Sequence, residues 1–555
     1  MYFKILLVIL FVFSQGGFVC SAKPRATSQQ GRDVSTSLDP SDFGQVDMEV
    51  SCSPSAKALF QEGIALIHSF WWDESRKRFQ AAAKADPNCA MAYWGEAMTY
   101  NDGLHAAPSE EDIKKALQAI EKGYAAKPPT PREQAYVEAV ELLYRGYPQL
   151  DRPQRDLLYS QAMERIYRTY FQDADGAAFY TLSLLALGRR SASQGYALQM
   201  KAAEILEPMF SALESHPGVA HYLIHAYDDS GHRDRGLAAA RRYSKIAAAI
   251  PHALHMPSHI FAGLGMWDET IAANQAAFQA SEDEAKRKGL PLFRRYYHAL
   301  GYWLYGLLEK GQFREARALM DEHRPILLAS KNRRALRYLH DLEVRLRLEI
   351  RDWKDAARIT PVLDSPFESA EILYVRGLGL ARTGDTESAK RALEELESVI
   401  QQLAALRDPA VAVRKKNVSI QAKQLGAAIL VAQKGGEEAI LLMQEACQME
   451  DALDVSQFPP DSGTGLPAHE FFGEILLELG KPVEAKREFE VALKKTPGRL
   501  HSLFGLAKAT ALSGNAGEAE LHYKALLDLL AQSDAELPEL QEARTYLANL
   551  RASPK

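Results

Sequence analysis

The chain has 555 residues, 47% of them hydrophobic and 25% charged, with a formal net charge of −6. That apolar content excludes a wholly disordered chain. Its 35 glycines and 26 prolines are too few for a collagenous or low-complexity protein, and the mild acidity excludes one devoted to coating nucleic acid or an anionic membrane.

In chain order, the first 22 residues read as an export signal: Lys4, an apolar run from Ile5 to Phe13, then small residues up to Ala22. The run is shorter than the roughly 20 apolar residues of a membrane span, so cleavage near Ala22 is expected in preference to an uncleaved anchor. No later stretch is apolar enough to span, which leaves no transmembrane segment after cleavage. Residues 23–45, with Pro, Ser, Thr, Gln and Asp, read as a flexible leader. Cys20 falls in the signal, and Cys52, Cys89 and Cys447 remain. Cys52 and Cys89 lie about one repeat length apart, each just before a helix, and in an oxidising compartment they are the disulfide candidate. Cys447 would be a lone buried thiol.

From residue 46 the pattern is helical, with little of the alternation that marks strands. Residues 56–89, AKALFQEGIALIHSFWWDESRKRFQAAAKADPNC, resemble a tetratricopeptide repeat. That motif is a helix–turn–helix of about 34 residues, with small residues where the helices cross and large ones in the seam. Gly63, Leu66, Ser75, Phe79, Ala82 and Pro87 take its signature places. The rest of 46–216 is helical but irregular, with breaks at Pro128-Pro129 and Pro148. The central stretch 217–335 carries weaker units from Pro217, Pro251 and Tyr297. In 336–535, units start near Tyr338, Ala370, Ile420, Leu466 and Leu500. The Leu466 unit matches best, through Gly473, Leu476, Ala485, Phe489, Ala492 and Pro497. Residues 536–555 read as a terminal helix and tail. The expected fold is all-α, a tetratricopeptide-repeat α-solenoid forming a right-handed superhelix of helix–turn–helix units.

Seven of the 15 histidines lie between His216 and His259, in the segments HPGVAHYLIHAYDDSGH and PHALHMPSHIFAGLGMW. His221 and His225 are i, i+4 on one helix face, and His255 and His259 repeat that spacing in the next unit. The resemblance to tetratricopeptide repeats implies that these four places line the concave groove, on first helices roughly 8–10 Å apart. From there, imidazoles on both helices can reach one ion through bonds of about 2.1 Å. The same register adds His252 and Asp228 to the metal candidates, Asp228 as a ligand or as an acceptor behind one. It places His298, in the following unit, in the groove. Imidazoles with a carboxylate suit a transition metal such as Zn, Cu or Fe. A polar groove for an acidic or aromatic ligand, and plain packing, are the alternative readings. A zinc peptidase of the H-E-x-x-H type is excluded, because Tyr222 and Met256 stand where its glutamate belongs. No nucleophile elbow, P-loop or dinucleotide fingerprint occurs.

Together DPNCAMAYWGEAM, HPGVAHYLIHAYD, ALHMPSHIFAGLGMWDETI and LPAHEFFGEILLELG resemble an uncharacterised family of bacterial exported tetratricopeptide-repeat proteins, over roughly residues 50–530. The resemblance implies a periplasmic solenoid of a Gram-negative bacterium and no particular reaction. The family often has an aspartate in an H-x2-D place where this chain has His298 and Gly301. Groove positions by the repeat register also include Trp94, Met98 and Asn101, suited to a peptide or small ligand, and Glu470 and Glu474. Glu474 is expected to pair with Lys508 of the next unit. The sharper alternative brings these carboxylates near the histidines. The function read from these features is a module that binds protein, peptide or a small ligand in its groove, with a metal site among the histidines. The alternative is a metal-dependent enzyme. Nucleic acid is not an expected partner.

Overall fold

The computed structural model describes residues 39–552 apart from 105, 191–195, 408–410 and 454–464. The expected export signal and residues 23–38 of the expected leader lie outside the described residues. Among the described residues there are helices and turns and no strand, and no helix is long and apolar enough to cross a membrane.

The leader expected over 23–45 ends earlier than its polar composition suggests. Asp39 accepts a hydrogen bond from the Ser41 amide and starts the short turn Pro40–Phe43. Phe43 is buried, edge-on to Trp71 at 6.4 Å. One apolar ring with a partner outweighs a run of polar neighbours.

Helices then pair in succession. Pro54–His68 packs on Trp72–Ala85, Pro217–Tyr227 on Arg233–Ile246, Tyr297–Glu309 on Phe313–Ser330, and Pro366–Arg382 on Thr386–Ala404. Near the C-terminus Ala468–Glu478 packs on Pro482–Lys495 and Leu500–Leu512 on Ala516–Leu529. The irregular stretch 90–216 follows the same plan, with Ala90–Met98 on Glu110–Ala125 and Ala174–Arg190 on Ala197–Ala212. Two helices, Arg333–Ile350 and Ala412–Ala432, begin ahead of the unit starts expected near Tyr338 and Ile420. The last helix, Pro538–Ala552, packs on Ala516–Leu529. Cys52 and Cys89 form a disulfide that ties the entry of Pro54–His68 to the N-cap of Ala90–Met98. Cys447 is buried and free.

The repeat signature has a direct steric meaning. Phe79 lies against two glycines of successive units: a Cβ on Gly63 would come within 2.7 Å of its ring, and one on Gly95 within 2.4 Å. Phe489 repeats the arrangement between Gly473, at 2.7 Å, and Gly505, at 2.2 Å. Glycine here is the absence of a methyl group, and the phenylalanine fills that absence from both sides. Gly505→Ala is therefore expected to cost about 1–3 kcal/mol through overpacking. Phe489→Leu in the same chain should recover part of it. Denaturant unfolding of the single and double variants checks this, and a double variant no more stable than Gly505→Ala alone would refute the contact as the cause.

The turn between the two helices of a unit takes a left-handed residue. Glycine supplies it at Gly265, Gly311, Gly384, Gly480 and Gly514, all with positive φ. In the first unit the same place holds Phe70, at φ +55°, which is costly for a bulky side chain.

The array also folds back on itself. Trp267 Nε1 donates to the Gly498 carbonyl at 2.8 Å. The amides of Arg314 and Glu315 donate to Asp534 at 3.0 and 2.8 Å. Gly265 and Gly498 meet backbone to backbone, and a Cβ on Gly265 would lie 2.4 Å from the Pro497 carbonyl oxygen. Arg499, buried in this seam, is bound by Glu309, Glu349, Glu470 and the Tyr305 hydroxyl.

Candidate metal centre

Four helices present the histidines. His216 caps Pro217–Tyr227, its side chain accepting from the Val219 amide, and Pro217 takes the first helical position. This helix carries His221 and His225. The next first helix is broken: Pro251–His255 ends at Met256, and Pro257–Gly263 follows. His252 and His255 sit on the first piece and His259 on the second. His298 lies in the first turn of Tyr297–Glu309.

These side chains form two groups of three. His221, His225 and His252 offer ligand atoms within 4.8 Å of one another, and so do His255, His259 and His298. Ring centroids are 4.8 Å apart for His221–His225 and 5.0 Å for His221–His252. They are 5.0 Å apart for His255–His259 and 4.5 Å for His255–His298. The expected quartet across two helices is thus replaced by two triads. His252 completes the first, and His298, read only as a groove residue, completes the second. The division falls inside Pro251–His255: His252 turns toward His221, whereas His255 turns toward His259, four residues on, and His298.

The opposite ring nitrogens are held by acceptors. His221 Nδ1 donates to the His68 carbonyl at 2.7 Å. His255 Nδ1 donates to Asn274 Oδ1 at 2.6 Å, and the amide is oriented because Asn274 Nδ2 donates to the Thr270 carbonyl at 2.7 Å. His259 Nδ1 donates to Asp228 Oδ2 at 2.9 Å. His252 Nδ1 lies 3.2 Å from the Tyr296 hydroxyl. Asp228 therefore stands behind a histidine and not among the ligands. Burial works to raise its carboxyl, but the neighbouring His259 and, more weakly, Arg233 hold it below the usual carboxylate value.

These partners settle tautomers. With Nδ1 protonated on both rings, neutral His255 and His259 each turn an Nε2 lone pair toward the other at 3.1 Å. Two lone pairs at that distance repel unless a proton or a metal ion lies between them. Two bonds of about 2.1 Å meeting near the tetrahedral angle place nitrogens about 3.4 Å apart, close to the separation seen. Acceptors on the far nitrogens are also what metal-binding histidines use to fix ring orientation.

Phe70 is a residue that the sequence reading passed over. Its ring stacks on His225 at 5.9 Å and on His252 at 5.3 Å, and meets His221 edge-on at 4.5 Å. The signal was available: a phenylalanine where five other units carry glycine. His68 was also missed. Its carbonyl supports His221, while its ring bonds the Tyr222 hydroxyl and Asp175, both at 2.9 Å. With His216 those groups make a third, fully buried cluster. His68 has both ring nitrogens committed there, so this cluster supports the first triad.

Trp94 does not line a groove. It is buried between Phe60, Tyr136 and Phe179, because a ring of that size contributes more inside the core. Met98 and Asn101 border a small internal cavity beside Tyr159, and Met98 is buried. Glu470 is buried and bound by Arg499 and Arg351. Glu474 pairs with Arg351 at 2.7 Å, and Lys508 pairs instead with Glu542 at 3.0 Å. These carboxylates belong to the fold-back seam. Between that seam and the second triad lies a cleft lined by His259, Arg233, Tyr305, Gln421, Lys495 and Arg499, among others.

No family model and no curated protein matches the chain. Solved structures similar to it include yeast Tom70, at 12% identity over 90% of this chain and 96% of that one, with a TM-score of 0.31. The TPR domain of P58(IPK) is 15% identical over 83% and 99%, with a TM-score of 0.22. The human IFIT1 dimer with m7Gppp-AAAA is 13% identical over 90% and 97%, with a TM-score of 0.35. The all-α repeat fold stated above rests on this chain's own helix pairs.

Proposed function

We propose that this chain is an exported helical-repeat module that binds a protein, a peptide or a small ligand, and that its histidines hold a transition metal at the binding site. One observation carries the metal: the Nε2 atoms of His255 and His259 face each other at 3.1 Å while both Nδ1 atoms are committed to acceptors. An imidazole donor set favours Zn, Cu or Fe over Mg or Ca. Export is supported by the signal-like first 22 residues. A groove ligand is the common use of stacked repeats. The cleft beside His259 supports the small-ligand form, since a molecule there lies next to the second triad. It equally supports a metal-dependent enzyme as the second reading.

The deciding measurement is elemental analysis of untagged protein prepared without chelator, and again after reconstitution. The expected result is stoichiometric metal of the Zn–Cu–Fe class. No bound metal under either condition would sink the reading.

A further inference from the structure

The two triads are neighbours. His252 and His255 lie on the same short helix with ring centroids 6.4 Å apart, yet each belongs to a different triad. Tyr296 touches both groups. Its hydroxyl is 3.2 Å from His252 Nδ1, and its ring is 5.4 Å from His255 and 5.7 Å from His298.

Resting on the metal reading above, we infer that the centre is dinuclear: two adjacent first-row ions of the zinc–copper class, one on His221, His225 and His252, the other on His255, His259 and His298. With ligand atoms within 4.8 Å of one another, the six histidines fall into two groups of three and form no group of four. Each triad contains its own close pair, His221–His252 and His255–His259, both at 3.1 Å. Three protein ligands with a further position for an outside donor is the pattern of a reactive site, whereas a closed structural site takes four.

Charge determines what fills that position. Six neutral imidazoles offset none of the charge of two cations, and Asp228 offsets part of it through His259. A pair of ions in this setting takes a small oxygen anion, hydroxide or a carboxylate, as its additional ligand. The two ions are also unequally placed. Phe70 covers all three rings of the first triad from a left-handed turn position that glycine fills in five other units. Backbone strain held in place against the rings of a site is the kind that accompanies function. The second triad has His259 on the cleft.

The test is metal stoichiometry. Untagged full-length protein is stripped with chelator, saturated separately with Zn²⁺ and with Cu⁺, freed of excess metal by gel filtration, and assayed for metal per chain. Two ions per chain are expected with at least one of the two metals. His225→Ala and His298→Ala are each expected to lose one ion and keep the other, with the circular dichroism of the apo-protein unchanged. Should either fail to fold, His225→Gln and His298→Gln, closer in size, carry the same test. Saturation of the wild type at one ion overturns the dinuclear assignment and leaves the metal reading standing. Saturation at zero overturns both. Loss of both ions from either folded single variant overturns the division into two separate triads.

Discussion

Arg499→Met is expected to lower the stability of the chain by about 3–5 kcal/mol. Arg499 is 2% exposed and its guanidinium bonds Glu309, Glu349 and Glu470 at 2.7–3.2 Å, along with the Tyr305 hydroxyl. Methionine matches its stem but leaves three buried carboxylates facing one another. The loss comes from the lost counter-charge, since Arg351 still holds Glu470 but nothing replaces Arg499 at the centre of the three, more than from the missing bonds. Denaturant unfolding followed by tryptophan fluorescence measures it, since Trp267 reports on the seam through its bond to Gly498. A loss under about 1 kcal/mol would contradict the assignment.

The same cluster has a pH signature. Burial raises the Glu309 carboxyl to about 7 against the lowering effect of Arg499, with Glu349 beside it adding to the rise. The unfolded chain releases this proton near 4.5, whereas the folded chain keeps it to about 7. The folded state therefore binds more protons in that window. The contribution of Glu309 to stability is full below about 4.5 and falls as pH rises through 7, with a slope on the order of 1 kcal/mol per pH unit. Glu309→Gln should flatten that slope, and an unchanged slope would assign the dependence elsewhere.

The second large effect is on metal affinity. His255→Ala/His259→Ala should abolish binding at the second triad, because it removes two of three ligands. Asp228→Ala is the more informative variant, since it removes no ligand. It takes away the acceptor that holds His259 with Nδ1 protonated, and a change of this kind typically weakens metal binding 10–100-fold. Asp228→Asn, which can still accept from Nδ1, should fall between it and the wild type. Competition against a chelator of known strength reads all three. Wild-type affinity in Asp228→Ala would remove Asp228 from the centre.

The helix pairing was legible because its determinants are local. Gly63 with Phe79 and Gly473 with Phe489 occupy repeat places whose meaning is steric, and the structure puts those atoms in contact. The histidines were legible as a concentration on helix faces. Their partition was not, because it depends on which neighbours His252 and His255 of one short helix each face and on His298 from another unit. Trp94 shows the limit of register: the repeat count assigned it to a groove, and the size of its ring took it into the core. Arg499 was not legible as a buried hub at all. Its partners Glu309 and Glu349 stand 190 and 150 residues earlier, a separation that no local pattern encodes.

The fold-back seam has a consequence for how such a chain can change. An open stack of repeats can gain or lose a unit anywhere and simply become longer or shorter. Here the helices between Gly311 and Pro497 must carry the chain out and return it so that Gly498 meets Gly265 and Arg499 meets Glu309. Each unit adds a fixed rise and rotation, so inserting or deleting one there would deliver Arg499 to the wrong place. Closure thus sets the number of units in this stretch, and variation in length is confined to the segments outside it.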